Sequence, residues 1–310
     1  MLDTFTFKIY VPSMHKYVRF GQFYNRHYKT ILKYIQNNDD SGVSSYIDWL
    51  IDHLSSEDII NNINRVDKFI IILNLYIICV ESHLNITLKC ESTGKDFQYK
   101  VDLVDILDKI TNIDVTEKKT INIDKTFIVV LGFPTKLHYK EVDDLVVDCV
   151  HNIKTRDRSF NINKFDNKHK KRLINELPAT FLTNVYEYIT DKSNKFHNVP
   201  FLTIRSPFDS NVESSNYTFS LVDNTFLHFI KSIFGESLKE VYDMYYLCIS
   251  KLNIEPNFLE TQMTVGESMI LLKKYEHELS KQVEQQNTSP ATNNNDVNMP
   301  LNVPYTGLDL

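Results

Sequence analysis

Residues 69–80 read FIIILNLYIICV, an apolar run interrupted only by Asn74. The length of this run decides the fold. It is too short to cross a bilayer, which takes about 20 apolar residues, and no run of 18 apolar residues occurs anywhere in the chain, so no membrane-spanning helix is expected. It is also long for a strand, whose usual length is about 5–6 residues. The reading adopted is a buried central helix, with a strand left open by the isoleucine content. A helix that is apolar all round needs other elements on every side.

The flanks supply them. Phe5, Phe7, Ile9 and Val11 alternate with Thr4, Thr6, Lys8 and Tyr10, and KYVRF follows after Pro12 and Ser13, which predicts an opening hairpin. Phe23, Tyr24, His27, Tyr28, Ile31, Leu32 and Ile35 recur at three and four, the spacing of an amphipathic helix. Residues 43–54 repeat that pattern with Tyr46, Ile47, Leu50 and Leu54 on one face, and they carry the single tryptophan, Trp49. Past the central run, LNITLKC and FQYKV alternate around a polar turn containing Gly94, a second hairpin. A strand region is expected over 121–131, a helix over 138–151 and a polar basic loop over 151–172. Helices are expected over 168–176 and 178–192, and a strand pair over 199–206 and 216–222. The final third reads as helices at Thr225–Phe234, Leu238–Leu252 and Val265–Gln285, the last opened by a capping box of Thr264 and Glu267. The fold class is α+β, mainly helical with small antiparallel β-hairpins inserted among the helices. The expected organisation is an N-terminal lobe over 1–150, a mostly helical C-terminal lobe over 151–285 and a flexible, Asn- and Pro-rich tail over 286–310.

Composition narrows the function. With 34 basic and 40 acidic side chains the net charge is −6, which provides no overall drive toward nucleic acid. Hydrophobic residues make up 42%, enough for a globular core. Glycine occurs 7 times and alanine only at Ala179 and Ala291, while Asn, Ile, Lys, Phe and Tyr abound, the signature of AT-rich codons. No GxGxxG or GxxxxGK[ST] is present, so the common nucleotide-binding fingerprints are missing. The opening MLDTFTFKIY lacks the basic and apolar regions of a secretory signal. Cys79, Cys90, Cys149 and Cys248 form no CxxC pair and are expected to be reduced, in a reducing compartment. The sequons at Asn85, Asn216 and Asn287 are then chance matches.

Four features are candidates for chemistry or contact. Asp144, Asp148 and His151, with Glu141, Asp143 and His138 nearby, have the spacing of an acid–base or metal group, but Leu145, Val146, Val147 and Val150 favour reading them as simply the wet face of an amphipathic helix. The stretch His151–Arg172 sets eight basic residues, among them Lys164, Lys168, Lys170, Lys171 and Arg172, against Asp157 and Asp166, with Phe160 and Phe165 interleaved. That pattern suits phosphate or single-strand binding, or docking to an acidic protein. The Cys90 hairpin has the outline of a zinc knuckle, yet Ser92, Thr93 and Gly94 stand where a second thiolate is needed, so no metal is expected. The last helix carries Val265, Met269, Leu272, Leu279 and Val283, which pack on their own domain or form a seam for a partner helix. The tail regains Met, Leu, Val and Tyr in NMPLNVPYTGLDL, the outline of a tethered motif that orders on binding. No HExxH or GxSxG occurs, and neither catalytic residues nor cofactors are expected.

The hairpin running into Arg19, Phe20 and Phe23, followed by a Tyr/Leu/Ile helix, resembles the T4-type phage baseplate proteins, the baseplate hub subunits or hub assembly proteins. The resemblance continues through the helix at 66–82 and the strand–Cys–turn–strand at 84–101. It returns in YTFSLVD, FLHFIKSIFG, the Tyr-rich helix Val241–Leu252 and the closing LKKYEHELSK. The chain departs from that pattern at Gln22, where a proline is expected, in the missing second thiol, in a longer middle and in the added tail. The AT-rich composition fits a T4-like phage. The resemblance implies a non-enzymatic role in building the central hub of a contractile tail's baseplate. Other hub proteins and the tape-measure protein would be the partners, in the host cytoplasm during assembly and in the virion baseplate. The competing expectation is a nucleic-acid-binding accessory protein using 151–172; a hydrolase built on Asp144, Asp148 and His151 is the third.

Overall fold

The computed structural model describes residues 6–90, 92–123, 127–155, 158–162, 165, 167–208, 215–235 and 238–288. The chain opens with strands β1 (Phe7–Val11) and β2 (Lys16–Phe20), joined by a 3-10 turn over Pro12–Met14 and by His15 in the left-handed region at φ 49°. They pair antiparallel, Ile9 opposite Val18, and bury alternate residues as expected. Helices α1 (Asn25–Gln36) and α2 (Asp40–Leu54) follow, then α3 (Arg65–Cys79).

The apolar run is therefore a helix, and the helix begins four residues before it. Asn64 caps it: its side-chain oxygen accepts from the backbone N–H of Val66 (2.9 Å) and Asp67 (3.1 Å), and the Asp67 carboxylate accepts from the Asn64 N–H (2.9 Å). Reciprocal capping of this kind satisfies donors that a buried helix end cannot give to water. Nearly the whole of α3 is buried. Each large apolar side chain withdrawn from water there contributes about 1.5–3 kcal/mol. Helix α2 and strand β1 pack around it.

Beyond α3 lie strands β3 (His83–Lys89) and β4 (Asp96–Asp102), the expected Cys90 hairpin, with Gly94 at φ 67° in its turn. Helix α4 (Leu103–Thr111), absent from the sequence reading, also packs on α3. The strand region at 121–131 is two strands, β5 (Lys119–Asn122) and β6 (Ile128–Leu131). Helix α5 (Val142–Cys149) is shorter than the 138–151 expected, because β7 (Val150–Lys154) starts directly after it. Strand β8 (Ser159–Asn161) completes a four-stranded antiparallel sheet in the order β5-β6-β7-β8. The expected basic loop is thus in part a sheet, held by the cross-strand partners Val129, Ile153 and Phe160.

Helices α6 (Asn167–Asn175) and α7 (Ala179–His197) fall where expected. Strands β9 (Leu202–Ile204) and β10 (Ser215–Tyr217) form the expected pair. Helices α8 (Thr225–Ile233), α9 (Leu238–Leu252), the unexpected α10 (Pro256–Gln262) and α11 (Val265–Thr288) close the described chain. The Thr264–Glu267 box forms, with Thr264 N–H donating to Glu267 (2.8 Å) and Glu267 N–H to the Thr264 hydroxyl (3.2 Å). Helix α11 takes in residues 286–288, and the rest of the expected tail lies outside the described residues.

Two buried polar side chains tie distant parts of the chain together. Arg65 donates to the carbonyls of Leu221 (2.9 Å) and Leu137 (2.8 Å) and lies between the rings of Tyr139 and Phe226. Asn25 donates to the carbonyl of Leu259 (2.9 Å) and the hydroxyl of Ser268 (2.9 Å), and its backbone N–H donates to Met263. One apolar cluster runs from Ile9 to Val265, with a stack of Phe201, Phe219 and Phe226 edge-on to Phe69 at its centre.

Candidate interaction surfaces

The carboxylates and histidine that share a helical spacing do not converge. Asp144 pairs with Lys171 (2.9 Å) at the surface. His151 Nε2 lies 2.9 Å from the Phe133 carbonyl. Asp148 is buried and turned inward, where its carboxylate accepts from the Thr135 N–H and hydroxyl, the Lys136 N–H and the Tyr139 hydroxyl. Burial alone pushes this carboxyl up. The bonds from Tyr139 and Thr135, with the charge of Lys170, outweigh it and leave the group below the usual carboxylate range. A carboxylate that accepts from four donor groups is a latch on the 133–139 loop.

All four cysteines are free and buried. Burial raises the thiols of Cys79, Cys149 and Cys248. Cys90 behaves differently. Hydrogen bonds from the hydroxyls of Ser206, Ser92 and Thr93 bring its thiol down to about 6. Among the described residues no group of three or more His, Cys, Asp or Glu is placed to hold a metal.

The basic strip divides. Lys164 lies outside the described residues. Lys168 and Arg172 are exposed on α6, Lys170 is buried facing Asp148, and Lys171 is tied to Asp144 and Glu141. At about 100° per residue Lys168, Lys171 and Arg172 fall on one side of the helix and Lys170 on the opposite, buried side, so the four side chains do not form one strip. Phe160 and Phe165, read as interleaved with the lysines, instead wall a groove of about 460 Å³ with Phe127, Ile153, Ile162 and Leu173. Arg172, His169 and Glu176 stand at its rim.

The last helix divides as well. Met269 and Leu272 are half-buried against the core, whereas Leu279 is 42% and Val283 55% exposed. From Lys273 to Val283 every side chain is exposed except Tyr275, which is half-buried. Alongside, α9 exposes Tyr242, Tyr246 and Ile249, spaced to share one face, with Tyr246 66% exposed. The sequence reading also missed a patch on α2. Trp49 is 48% exposed and stacks on His53 at 4.7 Å and on Tyr46 at 5.2 Å. Beneath them lies buried His27, 3.1 Å from the Tyr46 hydroxyl. Burial first, then the charges of Arg26 and His53, lower its imidazole to about 3. The 46–49–53 spacing was the available signal.

The family model of the T4 bacteriophage base plate protein matches residues 3–203, well over half of the chain. The chain belongs to this baseplate family. No curated protein and no solved structure matches it. The matched region holds the central helix α3, the Cys90 hairpin and the four-stranded sheet; α8 to α11 lie beyond it. Membership of the baseplate family makes this a structural protein of a phage tail, located in the virion baseplate and in contact with other phage structural proteins. No helix among the described residues is long and apolar enough to cross a membrane.

Proposed function

We propose that this baseplate protein is a hub component or hub assembly factor that works through protein–protein contacts and catalyses nothing. Its partners are other hub proteins, with the tape-measure protein among the candidates, and it meets them in the host cytoplasm during assembly. The observation that carries the reading is the uncovered half of α11. Leu279 and Val283 are wet there, as are Tyr242 and Tyr246 of α9. Apolar side chains that no described residue covers gain free energy when a partner takes them out of water, and tyrosines are frequent anchors at such contacts. The buried latch at Asp148 and the separation of Asp144 and His151 count against the hydrolase. The division of the lysines on α6 counts against a continuous nucleic-acid strip.

The test is co-purification of the full chain with hub proteins from infected cells, set beside a Leu279→Asp/Val283→Asp variant. Both positions are exposed, so the variant keeps the wild-type melting temperature and loses the partners by tenfold or more. Equal recovery of partners by variant and wild type refutes the assignment of this surface. Normal baseplates formed without the protein refute the role.

A further inference from the structure

A polar cavity of about 260 Å³ opens between the N-terminal half of α2 and the loop that precedes α5. One wall is Ser41, Ser44, Ser45 and Asp48, spaced at three and four so that they share one side of α2. The other wall carries Lys136, His138 and Lys140. Their loop is pinned at four residues. Asp148 accepts from the Thr135 and Lys136 N–H groups and from the Tyr139 hydroxyl. Arg65 donates to the Leu137 carbonyl (2.8 Å), and the Tyr139 N–H donates to Asn224 (3.2 Å). Side chains mounted on a backbone fixed in this way leave a ligand little ordering to impose.

The charges around the cavity do not cancel. Its carboxylates already have cations: Asp48 pairs with Lys68 (2.6 Å) and Asp144 with Lys171 (2.9 Å). Asp40, close enough to act on His138, pairs with Lys231 (2.7 Å). Lys136 and Lys140 make no ion pair among the described residues, so two positive charges are left over. The first turn of α2, which holds Ser41, adds the positive end of a helix dipole.

Polar atoms are left over as well. Ser44 lines the cavity and is only 7% exposed, yet its hydroxyl bonds to nothing among the described residues. On the opposite wall, Nδ1 of His138 is shut off from solvent and is also without a partner. Buried polar groups nearly always have partners, so two such atoms on facing walls point to a ligand that engages both. An anion answers the charge and the donors together. Three hydroxyls, two ammonium groups and an imidazole nitrogen converge here. A carboxylate offers two oxygens to such a set, whereas a phosphate group offers three or more, and lysine is a common phosphate partner.

We propose that this cavity binds a phosphate group, held by Lys136 and Lys140 from the loop and by the α2 serines, Ser44 foremost. The site is independent of the contact assigned to α11.

Isothermal titration calorimetry of the full chain at fixed ionic strength tests it, with inorganic phosphate, O-phosphoserine and acetate as probes. Phosphate is expected to bind saturably and at least about tenfold more tightly than acetate. O-phosphoserine binding as tightly as phosphate assigns the site to a phosphate carried on a larger molecule, and weaker binding assigns it to the free ion. Lys136→Gln/Lys140→Gln removes both charges and breaks no ion pair. It is expected to melt as wild type in phosphate-free buffer and to bind phosphate about tenfold or more weakly, the equivalent of one charge-assisted hydrogen bond. Ser44→Ala deletes a hydroxyl that the folded chain leaves unbonded, so the melting temperature holds or rises while phosphate affinity falls severalfold. Three results each overturn the proposal: no saturable heat up to about 10 mM phosphate, acetate binding as tightly as phosphate, or undiminished affinity in either variant.

Discussion

Replacing Asp148 by asparagine tests whether that carboxylate is a structural latch. One carboxylate oxygen accepts from the Thr135 N–H, the Lys136 N–H and the Tyr139 hydroxyl, and the other from the Thr135 hydroxyl alone. The asparagine therefore keeps its carbonyl on the three-donor side and turns its amide toward the hydroxyl, which can rotate to accept. What is lost is the negative charge, which strengthens all these bonds and faces Lys170. Bonds to a charged group contribute about 1.5–3 kcal/mol and breaking a buried pair costs about 3–5, so Asp148→Asn should destabilise by about 2–4 kcal/mol. In a chain of this size that lowers the melting temperature by about 3–6 °C. Urea unfolding followed by Trp49 fluorescence measures it. Because the folded-state pKa is depressed, the stabilisation is complete above the unfolded carboxyl's value near 4 and is lost as pH falls through the folded value. The gap between wild type and variant must shrink on acidification below about pH 4. A destabilisation under about 1 kcal/mol at neutral pH, or a gap that does not change with pH, refutes the latch.

His27 has a dependence of the same sign, set in a higher pH window. Its imidazole is held near 3 when folded and near 6.5 when unfolded, so the unfolded chain binds the extra proton and wild-type stability falls as pH drops through that window, by about 1.4 kcal/mol per pH unit. His27→Gln removes this slope, and urea midpoints between pH 7 and 4 should show the two proteins converging; parallel curves would refute it. Arg65→Ala leaves the carbonyls of Leu137 and Leu221 without their donor and opens a cavity between Tyr139 and Phe226. A loss of about 3–5 kcal/mol in urea unfolding is expected, and one below about 1 would show that the guanidinium is not a keystone.

Periodicity and end signals carried most of the fold into the sequence. The 69–80 run, the opening hairpin, the Gly94 hairpin and the Thr264–Glu267 cap were readable because local chemistry and tertiary structure agree there. Elements were missed where tertiary contacts decide. The strands VHNIK and SFN are short and polar, and they exist because Val129, Ile153 and Phe160 meet across the sheet. Helix α4 shows only Leu103, Ile106 and Ile110 on its buried face, too few positions to stand out. The basic strip was legible as composition, but its direction was not. Packing of α6 on α5 turns Lys170 inward, and nothing in the run Lys168–Arg172 marks beforehand which of its five polar residues that will be. The wet apolar positions Leu279, Val283 and Trp49 follow the same helical pattern as core residues, so exposure had to come from the structure.

The clasp of Asn25 on Leu259 and Ser268 joins groups up to 243 positions apart in the chain. A ribosome adding about 5–20 residues per second needs on the order of tens of seconds to deliver the second half of that clasp after the first has emerged. During that interval the greasy sides of α1 and α3 have no α11 to cover them, and a nascent chain in a crowded infected cell is open to capture by chaperones or by its neighbours. Completion of the body thus waits for α11, made long after α1 and α3, and the exposed half of α11 is synthesised only after the part that anchors it.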